Sequence, residues 1–168
     1  QICDAFNVPL VFFQDTPGFM VGTKVEHAGI IRHGAKMLHA MSAATVPKLT
    51  VVVRKGYGLG AQAMAVGGFD APVFTVSWPT GEFGGMGLEG AVRLGFRKEL
   101  EALPEGPERE ALYQKLVAES YANGEAMHMA ATLEIDAVID PLDTRAWLAR
   151  GLASARVSAP GVRFIDTW

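Results

Sequence analysis

Short apolar runs alternate with glycine-bearing turns through the first half of the chain. Val8 to Phe13 (VPLVFF) is rich in β-formers and stops at Gln14-Asp15-Thr16-Pro17-Gly18, a cluster of turn residues. The pattern predicts a buried strand running into a loop. From Glu26 to Ala44 the apolar residues Ile30, Ile31, Ala35, Leu38 and Met41 recur at three- and four-residue steps until Pro47, which predicts a helix. Leu49 to Val53 (LTVVV) predicts a second buried strand, ending in Arg54-Lys55-Gly56-Tyr57-Gly58-Leu59-Gly60. Ala61 to Val66 is small and apolar, as suits a helix packed closely on a sheet. Val73 to Val76 predicts a third strand. A Trp78–Gly81 loop and the glycine-rich stretch Phe83–Gly87 then lead into a helix from about Leu88. Strand, loop and helix in repetition, with continuously apolar strands, point to an α/β fold with a mostly parallel sheet covered by helices on both sides.

The second half has another character. Charged residues dominate from Arg97 to Asn123, with Pro104-Glu105-Gly106-Pro107 as a break, which predicts two helices joined by a turn. Gly124 to Ala131 is small and methionine-rich and suits a helix. Leu133 to Ile139 (LEIDAVI) predicts a fourth strand. Asp140 to Thr144 offers a turn and an N-cap for a helix over Arg145 to Ala155. The tail from Ser158 to Trp168 has no clear period. Fifteen of the 19 glycines fall at or before Gly95, so tight turns and close backbone approaches are expected in the front part.

Composition narrows the class. The 168 residues are 49% hydrophobic and 20% charged, enough to build a core and too apolar for a disordered chain. A net charge of −3 argues against nucleic acid as the main partner. The single cysteine, Cys3, excludes an internal disulfide and a CxxC redox pair. No apolar run approaches the ~18 residues of a membrane-spanning helix, so no membrane partner is expected. Gln1-Ile2-Cys3-Asp4 carries neither an initiator Met nor the basic start of a signal peptide, as expected of a domain cut from a cytosolic-type protein.

Side chains suited to acid–base or nucleophilic chemistry are sparse. The serines lie in no GxSxG elbow. His27, His33 and His39 follow one another at six-residue steps on one predicted helix. Each is therefore rotated by about 120° from the last, and the three cannot converge on a metal. No metal site is expected. Backbone remains. Pro17-Gly18-Phe19-Met20-Val21-Gly22 and Gly56-Tyr57-Gly58-Leu59-Gly60-Ala61 each follow a predicted strand, and the second opens a helix. N–H groups at such a start are unpaired and favour negative charge, so a loop of this kind cradles a phosphate or an oxyanion. Glycines after a strand also serve merely to make the turn. The spacing fits neither GxGxxG nor a Walker A loop.

Six segments in order carry a family resemblance. Gln14-Asp15-Thr16-Pro17-Gly18-Phe19-Met20-Val21-Gly22 resembles a strand-end loop of the carboxyltransferase subunit of biotin-dependent acyl-CoA carboxylases. Gly29 to Lys36 (GIIRHGAK) is similar to that family's next helix, and Ala44 to Thr50 (ATVPKLT) to the run into its next strand. Arg54 to Met64 (RKGYGLGAQAM) resembles its second glycine loop. Trp78-Pro79-Thr80 with Met86-Gly87 resembles its WPxxxxxxMG segment, and Val138 to Arg145 (VIDPLDTR) its closing strand-to-helix step.

The resemblance implies a ClpP/crotonase-type spiral domain. It makes residues 1–168 a single C-terminal domain of a two-domain subunit, the half that holds carboxybiotin while the N-terminal domain holds the acyl-CoA. The implied reaction moves a carboxyl group from carboxybiotin to the α-carbon of an acyl-CoA. That chemistry asks a protein to position reactants and hold developing oxyanions, which backbone N–H groups can do. By motif position the amides of Leu59 and Gly60 are the implied catalytic donors. Gly18, Phe19, Met20, Tyr57, Gly58 and Gln62 are the implied cofactor- and substrate-binding residues, although residues such as Tyr57 and Met20 are more often plain core. Biotin and acyl-CoA are the implied cofactor and substrate. The implied partners are the N-terminal carboxyltransferase domain, biotin carboxylase and biotin carrier subunits, and further copies in a hexamer. The implied location is the cytoplasm, or the mitochondrial matrix in a eukaryote. Residues 59–62 are Leu-Gly-Ala-Gln where propionyl-CoA members have Gly-Ala-Tyr-Asp and methylcrotonyl-CoA members have an Ala-Gly-Asn pattern, so both acyl classes stay open. Three other readings share the fold: a decarboxylase subunit of a sodium pump running the transfer in reverse, a non-catalytic assembly domain, and a hydratase or isomerase. The last needs an acid near the oxyanion site, where Glu82 and Glu89 are the nearby acids.

Overall fold

A computed structural model describes residues 1–65, 68 and 71–155. Five strands, β1 (Leu10–Thr16), β2 (Lys48–Tyr57), β3 (Phe74–Ser77), β4 (Glu82–Gly84) and β5 (Ala137–Val138), form one parallel sheet in the order β1-β2-β3-β5, with β4 paired to β2. The described helices are α1 (Ile2–Ala5), α2 (Thr23–His27), α3 (Ile30–Ala43), α4 (Gly58–Met64), α5 (Leu88–Gly95), α6 (Arg97–Glu101), α7 (Pro107–Asn123), α8 (Ala126–Ala131) and α9 (Thr144–Ser154), with a short 3₁₀ turn at Pro141–Asp143. None is long and apolar enough to cross a membrane.

β2 organises the sheet. Its apolar first half, from Leu49 to Val52, is fully buried between β1 and β3. Leu49 and Val51 point to one face and meet Phe74, Val76 and Ile139, where α9 closes the layer through Trp147 and Leu148. The Phe74 and Trp147 rings meet edge to face at 5.8 Å. Val52 points to the opposite face, against Phe83, Ala126 and Ile135 beneath α8. α4 lies on that second face beside β1. The Thr50 hydroxyl donates to the Met64 carbonyl at 3.1 Å, and α3 packs on α4 in turn. A third cluster of Val92, Leu100 and Tyr113 joins α5, α6 and α7. Lys48, buried at the start of β2, donates its ammonium to the Met41 and Ala44 carbonyls and so caps α3. Burial pushes its pKa down, against the opposing pull of Asp4.

Several boundaries differ from the expectation, each for a local reason. β1 does not stop at Phe13 but runs to Thr16. Between Gln14 and Thr16 its register with β2 shifts from Gln14↔Val52 to Thr16↔Gly56, and the Asp15 carboxylate accepts the Lys55 amide at 3.1 Å within that irregularity. β2 likewise continues through Arg54–Tyr57, because its last residues find a new partner in β4. The glycine in that short strand hides it from the sequence pattern. The helix expected over Glu26 to Ala44 is two helices, broken at Gly29 with φ +89°. Its buried position is Gly34, covered by the Phe19 ring, whereas Ile31 is 73% exposed and Ala35 faces out. The strand expected over Leu133 to Ile139 is reduced to Ala137–Val138. Leu133 stands at φ +61°, and Asp136 docks on β3 by its side chain. The two charged helices around Pro104–Pro107 and the Asp140 turn before α9 are as expected, with the Asp140 carboxylate accepting the Leu142 amide at 2.8 Å. The helix expected over Ala61 to Val66 begins earlier, at Gly58. Its last residue, Val66, and the tail from Ser158 lie outside the described residues.

Candidate functional site

Ligand sites in open parallel sheets form beyond the carboxyl ends of the strands. Both glycine loops singled out in the sequence lie there, and the fold brings them together. β1 ends at Thr16 and opens the Pro17–Gly22 loop, where Gly18 takes φ +107°, a conformation glycine adopts without strain. β2 ends at Tyr57, and α4 begins at the next residue with Gly58 at φ +61°. A Cβ on Gly60 would lie 3.0 Å from Thr16 Cγ2 and 3.2 Å from the Gly18 carbonyl carbon. The first turn of α4 therefore touches the first loop with no room for a side chain between them. A Cβ on Gly58 would come within 2.7 Å of the Gly85 carbonyl oxygen, so the β4 segment walls the turn on its other side.

Gly60 itself is buried at this junction. Leu59 turns its side chain outward, 57% exposed. Tyr57, at the N-cap position of α4, makes no capping bond, so the N-cap side chain does not take up the first-turn N–H groups. Phe19 packs on Gly34 and holds the first loop against α3. Met20 is 68% exposed beside it. Gln62 faces a cleft of about 510 Å³ together with Gly58.

Of the expected site residues, Gly18 and Gly60 meet, Leu59 is exposed next to Gly60 in the chain, and Gly58 and Gln62, on the other side of α4 from Gly60, line the cleft. Phe19 supports the loop from behind. Tyr57 is core, 3% exposed, and its hydroxyl donates to the Glu82 carboxylate at 2.9 Å. Burial and that bond raise the phenol's pKa.

The far wall of the cleft has no counterpart in the sequence reading. Phe83–Gly85 of the β4 segment, Leu88 of α5, Ser120 and Asn123 of α7, Gly124, and Met129 of α8 form it. Ser120 and Asn123 sit in a charged helix where nothing in the pattern separates them from a solvated face. Gln14 is a second omission: it is wholly buried, and its Nε2 lies 3.6 Å from where a Gly56 Cβ would stand. Neither of its amide atoms has a hydrogen-bond partner among the described residues.

The acids are poorly suited to act as a general base. Glu82 is engaged by Tyr57. The carboxyl of Glu89 is held below its ordinary range by a bond from its own backbone N–H and by the Tyr121 hydroxyl at 2.8 Å. A base near neutral pH requires the opposite shift. The bond also raises the Tyr121 pKa. Among the described residues no group of three or more His, Cys, Asp or Glu is placed to hold a metal ion.

The chain matches the family model described as the carboxyl transferase domain over residues 1–160. It is 48% identical over 151 residues to an uncharacterized carboxylase of Bacillus subtilis, covering 90% of this chain and 29% of that protein. It is 45% identical over 152 residues to the methylmalonyl-CoA carboxyltransferase 12S subunit of Propionibacterium freudenreichii, covering 90% of this chain and 28% of the relative. The hexameric transcarboxylase 12S crystal structure, with methylmalonyl-CoA and methylmalonic acid bound, superposes with a TM-score of 0.81 at 40% identity, over 98% of this chain and 32% of that one. The chain thus spans less than a third of the length of each of these proteins.

Proposed function

The chain belongs to the carboxyl transferase domain family, and we propose that it is the carboxybiotin-side domain of an acyl-CoA carboxyltransferase. The observation that carries the reading is the contact of Gly60 with Thr16 and Gly18. It fuses two strand-end loops into one backbone junction, and Gly58 and Gln62 of the same helix line a cleft of about 510 Å³. The family's fold, a parallel α/β sheet of the crotonase type, supports it.

The residues present fit a bound carboxybiotin. The first turn of α4 offers N–H groups not taken by an N-cap side chain, and the absent Cβ of Gly60 lets the Pro17–Gly22 loop close on that turn. When bound, carboxybiotin supplies the carboxyl group and leaves negative charge on its ureido oxygen. The Leu59 and Gly60 amides are the groups that would hold that oxygen, aided by the short helix behind them. Gly18 and Phe19 hold the neighbouring wall, and Met20 covers its outer side. One such donor is worth about 10²–10³ in rate. The chain's own residues thus bind and orient, in keeping with a site whose nearby carboxylates are engaged by tyrosines.

On this reading residues 1–168 form a C-terminal domain whose partner, an N-terminal domain, carries the acyl-CoA. The relative's hexamer supports assembly of several copies, and biotin carboxylase and biotin carrier components are the further partners this reading calls for. A propionyl-, methylmalonyl- or methylcrotonyl-type acyl-CoA is the substrate class. The same reading places the protein in the cytoplasm, or in the matrix of a mitochondrion if its source is a eukaryote. The test is carboxyl transfer between carboxybiotin on its carrier and a set of acyl-CoAs by the full-length subunit. Transfer to a short or branched acyl-CoA supports the reading, and failure with every acyl-CoA tried overturns it.

Gln62 lines the cleft where the propionyl type carries Asp. An amide both donates and accepts, and its desolvation costs less than that of an unpaired carboxylate. Gln62→Asp is expected to change the relative kcat/KM among acetyl-, propionyl- and branched acyl-CoA by about 1–3 kcal/mol, the effect of one altered pocket contact. Unchanged ratios would remove Gln62 from specificity.

A further inference from the structure

The N-cap of α4 is an unusual place for a tyrosine. That position ordinarily holds a short polar residue whose oxygen accepts the first free N–H groups of the helix. Tyr57 does not cap. Its backbone is extended, φ −107° and ψ 128°, and its side chain turns into the core. There its hydroxyl donates to Glu82 Oε2 at 2.9 Å. Glu82 is the first residue of β4, and β4 pairs with the last three residues of β2 in the register Lys55↔Glu82, Gly56↔Phe83 and Tyr57↔Gly84. The bond is therefore a side-chain tie laid across the same two strands, at the point where β2 passes into α4. Gly58 turns there at φ +61°, against the Gly85 carbonyl oxygen of the same β4 segment.

We propose that Tyr57 and Glu82 are a positioning pair: their bond fixes the direction in which β2 delivers the Leu59 and Gly60 amides, while leaving those amides uncapped. The inference rests on the function proposed above. A capping side chain would hold the turn equally well but would occupy the donors that the ligand needs. Placing the tie on Glu82 holds the turn and keeps the donors open. The arrangement around it is consistent. Burial keeps the Tyr57 phenol protonated and hence a donor. Tyr121 of α7 donates to Glu89 of α5 at 2.8 Å alongside, so a second tyrosine–glutamate bond ties the helices of the cleft's other wall. Glu89 of α5 and Tyr121 of α7 face the pair, and Lys55 of β2 faces Glu89.

A positioning role separates from a structural one in the kinetics. In the full-length subunit, Tyr57→Phe keeps the ring and removes only the hydroxyl. It is expected to lower kcat for carboxyl transfer by about 10–100-fold, the scale of a misplaced reacting geometry. KM for the acyl-CoA should stay within about twofold, because the binding surfaces are retained. Glu82→Leu should do the same, and the double variant should be no worse than either single one, as expected for two ends of one interaction. Glu82→Gln still offers an oxygen to the hydroxyl and should restore most of kcat. Each variant is also melted. A wild type that transfers carboxyl groups beside a Tyr57→Phe variant within twofold of it in kcat overturns this inference alone. So do losses that multiply in the double variant, or a Glu82→Gln variant as impaired as Glu82→Leu at equal melting temperature. A wild type inactive with every acyl-CoA overturns the function on which the inference rests.

Discussion

Gly60→Val is expected to lower carboxyl transfer by about 10²–10³-fold, the value of an oxyanion donor, while the domain still folds. A Cβ at residue 60 would meet Thr16 Cγ2 at 3.0 Å and the backbone of Gly18 at 3.2–3.3 Å. Main chain cannot rotate aside as a side-chain tip can, and the two further methyl groups of valine widen the conflict. The first loop must then move away from α4, separating the surfaces that together hold the ligand. The cores around Leu49, Val52 and Val92 are built by other side chains, which leaves the domain able to fold. Steady-state transfer and circular dichroism on the full-length subunit check both halves of the statement. A Gly60→Val protein with wild-type transfer would remove the junction from the chemistry.

Gly124→Ala is expected to cost about 1–3 kcal/mol of stability by overpacking, and to impair the cleft as well. Gly124 joins α7 to α8 and lines the cleft. Its carbonyl accepts the Phe83 amide at 2.7 Å, and the Ala126 amide donates to the Gly81 carbonyl at 3.1 Å, so two bonds hold this corner to the β4 segment. A Cβ would fall well inside van der Waals contact distance of the Phe83 carbonyl oxygen, with the Ser120 carbonyl at 3.3 Å on another side. The corner has to lift from β4, stretching the bonds that hold it. At roughly 2–4 °C per kcal/mol for a domain of this size, the midpoint should fall by several degrees. Gly95→Ala is the control. A Cβ there meets nothing within 4 Å, and alanine in a helix is favoured over glycine by about 1 kcal/mol, so its midpoint should hold or rise. Equal melting of the two variants would refute the clash at Gly124.

The sequence announces some parts of this arrangement and conceals others, and the division has physical causes. The buried strand over Leu49–Val53 is legible because both of its faces are covered, which demands an unbroken apolar run. The Arg54–Tyr57 extension is not, since these residues pair with a strand, Glu82–Gly84, that itself carries a polar residue and a glycine. The expected strand over Leu133–Ile139 is too long because Ile135 and Ile139 are indeed core, yet the chain between Leu133 and Asp136 is fixed by a left-handed residue and a carboxylate on the Thr75 amide at 2.6 Å. Apolar residues mark burial there; strand pairing does not follow from it. In α3 the periodic Ile31 and Ala35 suggest the inward face, whereas Gly34 occupies it because Phe19 needs the space. Such a glycine gives no apolar signal.

The candidate site divides in the same way. Glycine loops that end strands carry a local signature, and the family resemblance orders them, so Gly18, Gly58 and Gly60 are legible. Ser120, Asn123 and Met129 reach the cleft only because α7 and α8 fold back over β4, a long-range event with no local mark. Tyr57, in sequence a pocket-lining candidate or a core residue, is core and ties β2 to β4. In sequence a ligand-facing tyrosine and a buried tether look alike until the Glu82 carboxylate is seen opposite the hydroxyl.

Transfer of an isotopically labelled carboxyl group measures the central claim directly. The full-length subunit is incubated with a carboxyl-labelled acyl-CoA and unlabelled biotin carrier, and label is followed onto the carrier. The junction of α4 with the Pro17–Gly22 loop predicts label on the carrier with the wild type and a loss of about 10²–10³-fold with Gly60→Val. Absence of label with the wild type across malonyl-, methylmalonyl- and methylglutaconyl-CoA, in a protein that is folded and assembled, would contradict it.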